Sequence, residues 1–215
     1  MIETTATFAL LGAVLGAAES VPYLRDTWRR STTPHRGSWL IWSVIEVVAV
    51  ESQRADGAQS SLLPLVTQAS GTCAVFVLAI GLGSGGVSRL ELALIALAGA
   101  GVVGWLVADE PIIATMCVIV ADFIAALMML PKAWRDPHSE TMSTYALASL
   151  GGLAAMGAVG TPSVPLLMYP VYFALVNAAL TLVIVQRRRV PPSVRDEPST
   201  DQRPPRELVA PRRWP

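Results

Sequence analysis

The stretch PHRGSWLIW at residues 34–42 decides how the chain is interpreted, because a related stretch, PHSETMSTY, follows at residues 137–145. Each copy comes after a short segment that begins with proline and contains tryptophan, arginine and aspartate. These segments are PYLRDTW at residues 22–28 and PKAWRD at residues 131–136. Each copy joins one apolar stretch to the next through a basic loop. A repeat on this scale is typical of membrane transporters, in which two similar halves form one site between them.

The composition is that of a membrane protein. Hydrophobic residues make up 53% of the 215 residues and charged residues 15%, whereas about 25% of residues are charged in soluble domains. The apolar residues form seven blocks, most of them near the roughly 20 residues that a helix needs to cross about 30 Å of hydrocarbon. The blocks are 6–24, 38–50, 62–82, 90–108, 111–130, 142–159 and 164–185. The sequence therefore predicts an all-α, seven-helix polytopic membrane protein.

The two copies of the pattern fall in segments one to three and five to seven, and segment four has none. Three crossings are an odd number, so two such units fused directly would point in opposite directions. One further crossing between them restores a parallel arrangement. We therefore predict parallel three-helix repeats at residues 6–83 and 111–186, joined by a linker helix at residues 89–108. Residues 187–215, rich in proline and charge, are predicted to form a disordered cytoplasmic tail.

The basic residues predict the orientation in the membrane. With the N-terminus outside, the outer loops carry only Arg54, and ten basic residues lie on the inner side. These ten are Arg25, Arg29, Arg30, Arg36, Arg89, Lys132, Arg135, Arg187, Arg188 and Arg189. The positive-inside rule then places the C-terminus in the cytoplasm of a plasma-membrane protein. The expected partners are the lipid bilayer and a small solute, not nucleic acid, and the sequence leaves a homo-oligomer open.

This three-one-three layout, with a proline at the end of each first segment, resembles a divergent bacterial branch of the PQ-loop/SWEET transporter superfamily over residues 6–186. The Pro-Gln dipeptide of that superfamily is absent, with Tyr23 and Lys132 after the two prolines. The resemblance implies alternating-access transport of a small polar solute, such as a sugar or an amino-acid-like molecule, with proton coupling an open question. A non-transporting membrane subunit or receptor is the alternative. The sequence lacks the clustered His, Asp or Cys of a membrane enzyme, so no enzyme, cofactor or metal site is predicted.

Pro22 and Pro131 are expected to end the first helix of each half. Two interpretations are open: a hinge for alternating access, which we favour because both halves have one, or a simple helix stop. His35 and His138 follow proline in the inner loops, and we expect both to be solvated.

Two carboxyl groups lie at mid-membrane depth, Glu46 in segment two and Asp122 in segment five. An ionised acid there costs about 2.5–3.5 kcal/mol on insertion scales, and such groups usually face a cavity or a partner. We predict that they couple transport to protons or bond the solute. The alternative is a neutral acid bonded to a neighbouring helix. Glu19, one turn from the end of segment one, is expected to reach the headgroups.

Aromatic and amide side chains complete the predicted site. Aligning the two Pro-His pairs places Tyr145 opposite Trp42, and two rings from the two halves would make a flat-sided pocket. An interfacial aromatic belt is the alternative, favoured for Trp39. The resemblance implies that Asn177, in the third helix of the second half, contacts the solute, with Thr72 at the corresponding place in the first half. For these two, interhelical hydrogen bonding is the alternative. We expect Trp42, Tyr145 and Asn177 to converge on one pocket.

Overall fold

The computed structural model describes residues 2–55, 62–107, 111–159 and 164–190. Within these ranges the chain forms seven α-helices and no β-strand. The helices are α1 (Ile2–Trp28), α2 (Arg36–Ala55), α3 (Leu62–Leu82), α4 (Arg89–Val107), α5 (Pro111–Arg135), α6 (Met142–Ala158) and α7 (Val164–Arg189), with a 3-10 turn at Pro137–Ser139. The prediction of a seven-helix, all-α protein is confirmed.

The length and apolar composition of several helices identify this chain as a membrane protein. Four helical stretches are long and apolar enough to cross a membrane: Thr5–Trp28, Arg89–Val107, Thr115–Arg135 and Leu167–Arg189. A further apolar stretch, Val66–Leu82, is slightly shorter. Large apolar side chains such as Leu10, Val103 and Leu182 are more than half exposed on these helices, as expected of surfaces that face lipid.

Residues 187–189, which were predicted to belong to the disordered tail, are helical, because α7 continues through Arg189. Arg187 donates a hydrogen bond to the Trp134 carbonyl and stacks over the Trp134 ring. These contacts tie the last turn of α7 to the end of α5. The rest of the predicted tail, residues 191–215, lies outside the described residues.

The loops that carry the basic residues meet at one end of the bundle, which we call the basic end. The hydrogen bonds that join them run from Ser84 N to Pro34 O (2.9 Å), from Thr33 N to Ser139 O (2.9 Å) and from Arg188 Nη2 to Glu140 O (2.6 Å). Helices α1, α3, α5 and α7 therefore end at the basic end, where α2, α4 and α6 begin. It follows that the triplet α1–α3 and the triplet α5–α7 run in the same direction.

Helix packing follows the same order in both triplets. In the first, α3 packs against α1 and α2, and in the second, α7 packs against α5 and α6. Contacts of α1 with α6 and of α2 with α5 join the triplets into a ring of six helices. Helix α4 packs on α5 and α2, outside that ring. Two repeats joined by a linker helix would pack in this way.

Close contact between α6 and α7 depends on Gly152. A Cβ atom at this position would lie 2.8 Å from the backbone nitrogen of Ala174 and 2.9 Å from its Cβ. Both distances are shorter than a normal contact, so only glycine lets the two backbones approach this closely. The second triplet is therefore tightly packed beside the site described below.

The prediction that Pro22 and Pro131 end the first helix of each half is wrong. Helix α1 continues to Trp28 and α5 to Arg135, so both prolines lie inside helices. A proline removes one backbone donor and crowds the preceding turn, but the residues after it can keep their own helical hydrogen bonds. Tertiary packing holds the added turns, since Tyr23 beyond the first proline is fully buried. The helix-stop interpretation is excluded, and the hinge stays a prediction.

The expectation of a solvated His35 is also wrong, whereas His138 is exposed as predicted. His35 is buried, and its Nε2 lies 2.9 Å from a carboxylate oxygen of Glu91. The other oxygen of Glu91 accepts a hydrogen bond from the backbone nitrogen of Ser88, and the Ser88 hydroxyl accepts one from the backbone nitrogen of Glu91. This reciprocal pair is a capping box that begins α4. The Glu91 carboxylate thus caps the beginning of α4 and binds it to the beginning of α2.

Candidate functional site

A small cavity lies between the two triplets, with a volume of about 60 Å³. We call it the central cavity. Six of the seven helices supply its wall, and among the described residues α4 supplies none. The lining residues are Glu19, Trp39, Trp42, Ile45, Glu46, Thr72, Asp122, Ala126, Thr144, Tyr145, Ala148, Tyr169, Phe173, Val176, Asn177 and Leu180. The wall of the cavity is therefore formed by both triplets together.

The structure brings the predicted binding and proton-coupling residues together. Those that line the central cavity are Trp42, Glu46, Thr72, Asp122, Tyr145 and Asn177. The expected convergence of the two aromatic rings and the amide on one pocket is thus observed, while their roles stay predictions. The two prolines predicted as hinges are not among the lining residues.

The two mid-membrane carboxyl groups have different surroundings. Asp122 is 6% exposed, and its Oδ2 accepts a hydrogen bond of 2.6 Å from the Tyr172 hydroxyl. Glu46 Oε1 accepts a long hydrogen bond, 3.4 Å, from Gln68 Nε2. Its other oxygen, Oε2, is buried and has no hydrogen-bond partner. One acid is therefore held in place by the protein, and the other presents an unpaired oxygen.

Glu19 is a third carboxyl group at the cavity, and the expectation that it reaches the headgroups is wrong. It is 7% exposed and lines the central cavity. Since α1 continues to Trp28, Glu19 lies about 13 Å from the helix end at 1.5 Å per residue, and not one turn from it. Among the described lining residues there is no lysine, arginine or histidine. The wall of the cavity is acidic and carries no basic side chain.

Aromatic rings form much of the remaining wall. Trp42 packs edge-to-face against Trp39, with ring centroids 5.2 Å apart. Trp39 is 5% exposed, so the belt interpretation is wrong for it. In the second triplet, Tyr169 and Phe173 stack with ring centroids 5.7 Å apart. The sequence analysis missed this second pair, although its four-residue spacing in α7 places both rings on one helix face.

Hydroxyl and amide groups add polar contacts. Asn177 donates a hydrogen bond from Nδ2 to the Phe173 carbonyl, 2.9 Å away on its own helix. This bond fixes the side-chain amide at the wall of the cavity. Thr144, which the sequence analysis also missed, is buried with no hydrogen-bond partner for its hydroxyl oxygen. Such orphaned polar atoms are rare in folded proteins, and each calls for an explanation.

The central cavity is closed at the basic end by four residues that we call the Glu140 cluster: Tyr23, Lys132, Glu140 and Tyr145. The Glu140 side chain is fully buried and accepts hydrogen bonds from the hydroxyls of Tyr23 (2.8 Å) and Tyr145 (2.9 Å). Lys132 forms an ion pair with the same carboxylate. Because Tyr23 belongs to the first triplet and the other three to the second, the cluster joins the triplets. No sequence pattern pointed to Glu140.

Two larger spaces adjoin the central cavity toward the opposite end of the bundle. One, of about 300 Å³, shares Glu19, Tyr169 and Phe173 with the central cavity, and its wall reaches Phe8. The other, of about 360 Å³, shares Ile45, Glu46 and Tyr169 and reaches the Trp105 side chain. The protein is thus closed at the basic end and more open at the other.

Comparison with protein-family models, with curated proteins and with solved structures gave no match. Among the described residues, no group of three or more His, Cys, Asp or Glu side chains is arranged to hold a metal ion.

Proposed function

We propose that the chain is a plasma-membrane transporter that carries a small polar solute by alternating access, with a PQ-loop/SWEET-like arrangement of helices. The observation that supports this proposal is the central cavity, whose polar wall is shared by two triplets running in the same direction. A site between two similar bodies can be exposed to either side when one body rocks against the other.

The ends of the bundle support the alternating-access part of the proposal. Glu140 bonds to Tyr23 across the triplet interface and closes the basic end, while larger spaces adjoin the cavity at the other end. Under the positive-inside rule the basic end is cytoplasmic. We therefore interpret this arrangement as the inner-closed state, with both termini placed as the sequence predicts, the N-terminus outside and the C-terminus inside.

Proton coupling is a second part of the proposal. Glu46 and Asp122 lie in a wall without basic side chains, and an ionised acid at this depth is costly unless it is paired. Protons taken up on one side of the membrane and released on the other would neutralise these groups while the cavity is occluded.

The proposal is tested by uptake into proteoliposomes. We expect purified protein to take up at least one labelled small polar solute from a panel of sugars, amino acids and amines. Replacing Trp42 by Ala should lower uptake about 5- to 30-fold, because removing an aromatic wall or a well-placed polar contact costs roughly 1–2 kcal/mol. Asn177→Ala should do the same through loss of its amide.

The matched control is Trp28→Ala. Trp28 is 74% exposed and lies at the end of α1, away from the cavity, so its replacement should leave uptake unchanged. Wild-type uptake by both cavity variants, with normal membrane expression, would contradict the proposed site. No uptake of any solute by the wild-type protein would contradict transport itself.

A further inference from the structure

We infer that the solute of the central cavity is a small organic ammonium ion, bound by Glu46 and Asp122 between aromatic faces. The inference rests on the proposed transport function and names its substrate class.

The charge of the cavity wall favours a cation. Three carboxyl groups, Glu19, Glu46 and Asp122, line one small space, and no basic side chain is among its lining residues. Carboxylates that share a site repel one another, so each must be neutralised by a proton or by a positive ligand. A cationic solute would supply this charge, and an anionic solute would be repelled.

Two orphaned oxygen atoms point to a ligand with hydrogen-bond donors. Glu46 Oε2 and Thr144 Oγ1 are both buried, both lack a hydrogen-bond partner, and their residues both line the central cavity. Glu46 belongs to the first triplet and Thr144 to the second. A carboxylate oxygen and a hydroxyl oxygen can both accept from the N–H groups of an ammonium ion. One bound ammonium group would satisfy both and would bridge the triplets.

The aromatic residues around these acceptors suit the same ligand. The faces of Trp and Tyr rings attract a cation within about 6 Å of the ring centroid, most strongly when water is excluded. Trp42 of the first triplet and the Tyr169–Phe173 stack of the second triplet line the same cavity. A neutral solute would not be stabilised by this attraction between a cation and the ring faces.

The volume of the cavity limits the size of the ion that can bind. A volume of about 60 Å³ leaves little room beyond a small ammonium group and a short carbon chain. Methylammonium, dimethylammonium and ethanolammonium, which all carry N–H donors, are therefore suitable probes. Ethylene glycol is a matched neutral probe, because it has the size of ethanolammonium with a hydroxyl in place of the ammonium group.

Binding of the four probes to the purified full-length protein in detergent is measured by calorimetry at pH 7. We expect at least one of the three cations to bind and ethylene glycol not to bind. Glu46→Gln should weaken binding of that cation about tenfold or more, since a hydrogen bond to a charged group is worth roughly 1.5–3 kcal/mol. Glu46→Asp keeps the charge and should retain most of the affinity.

Control variants separate the effect of charge at the site from the general effect of a substitution on the protein. Asp136→Asn removes an exposed carboxylate outside the cavity and should leave binding unchanged. Asp122→Asn is a second cavity variant, used if the Glu46→Gln protein elutes as aggregate in size-exclusion chromatography. Equal binding of the cation by wild type and both cavity variants would overturn the inference.

Transport by the same protein distinguishes this inference from the proposed function. Uptake of neutral solutes, with no binding of any of the three cations, would overturn the ammonium inference and leave transport standing. Binding of a cation that depends on Glu46, without uptake into proteoliposomes, would support the site and contradict transport. Neither binding of a cation nor uptake of any solute would overturn both.

Discussion

Replacing Glu140 by Gln is expected to loosen the closed end of the protein. In the wild type this carboxylate joins Tyr23 of α1 to Tyr145 of α6 and pairs with Lys132 of α5. Glutamine has nearly the same shape but no charge. Its carbonyl oxygen can still accept the hydrogen bonds from Tyr23 and Tyr145, as weaker neutral bonds, while Lys132 is left without its ionic partner.

The size of the effect follows from these contacts. Hydrogen bonds to a charged group contribute roughly 1.5–3 kcal/mol each, against about 1 kcal/mol for neutral ones. Removing one partner of a buried ion pair costs about 3–5 kcal/mol, and partial exposure of Lys132 places this case at the lower end. A loss of about 3 kcal/mol in the free energy of unfolding would lower Tm by about 6–12 °C at this chain length.

The assay is thermal unfolding of purified protein in detergent micelles, followed by tryptophan fluorescence. A double-mutant cycle with Tyr23→Phe measures the coupling between the two residues, because Tyr23→Phe removes the hydrogen bond that Glu140→Gln weakens. Asp136→Asn is the control, since its carboxylate is exposed in the same loop. The reasoning is refuted if Glu140→Gln shifts Tm no more than the control, or if its effect and that of Tyr23→Phe simply add.

Two further predictions concern helix packing and the linker helix. Gly152→Ala should lower the free energy of unfolding by about 1–3 kcal/mol, the usual cost of overpacking, because its Cβ would press on Ala174. Gly99→Ala, where a Cβ meets nothing within 4 Å, is the control, and thermal unfolding that is equal in both variants would contradict the close-packing argument. Glu91→Ala should destabilise the protein by about 1–2 kcal/mol, since it removes a capping box and the carboxylate that contacts Nε2 of buried His35. Chemical unfolding checks this, and a wild-type midpoint would show that neither contact contributes.

Sequence alone predicted the helices and much of the cavity wall, because both depend on regular spacing. Apolar length identified the seven helices, and the aligned Pro-His pairs placed Trp42 and Tyr145 in corresponding positions. Mid-membrane depth singled out Glu46 and Asp122, since buried charge is rare enough to be informative. These patterns involve residues that are close together in the sequence, or they occur in both copies of the repeat.

The errors and omissions come from contacts between distant segments. Glu19 was misplaced because α1 continues past Pro22, and a helix that packs well can tolerate proline near its end. Glu140 gave no signal because its partner Tyr23 lies 117 residues away in the chain. His35 was expected to be solvated for the same reason, with its partner Glu91 56 residues away.

Tyr169 borders the central cavity and both of the larger spaces next to it. Its ring therefore separates the central cavity from the two larger spaces. A rotation of this side chain could connect them without any movement of a helix. At the basic end the Glu140 cluster is held by helices α1, α5 and α6, and opening there requires those helices to separate. Collective helix motions take microseconds to milliseconds, whereas movement of one side chain requires no helix to move. Exchange of small molecules should therefore be faster at the end that Tyr169 borders, so the slow step of a transport cycle would lie at the basic end.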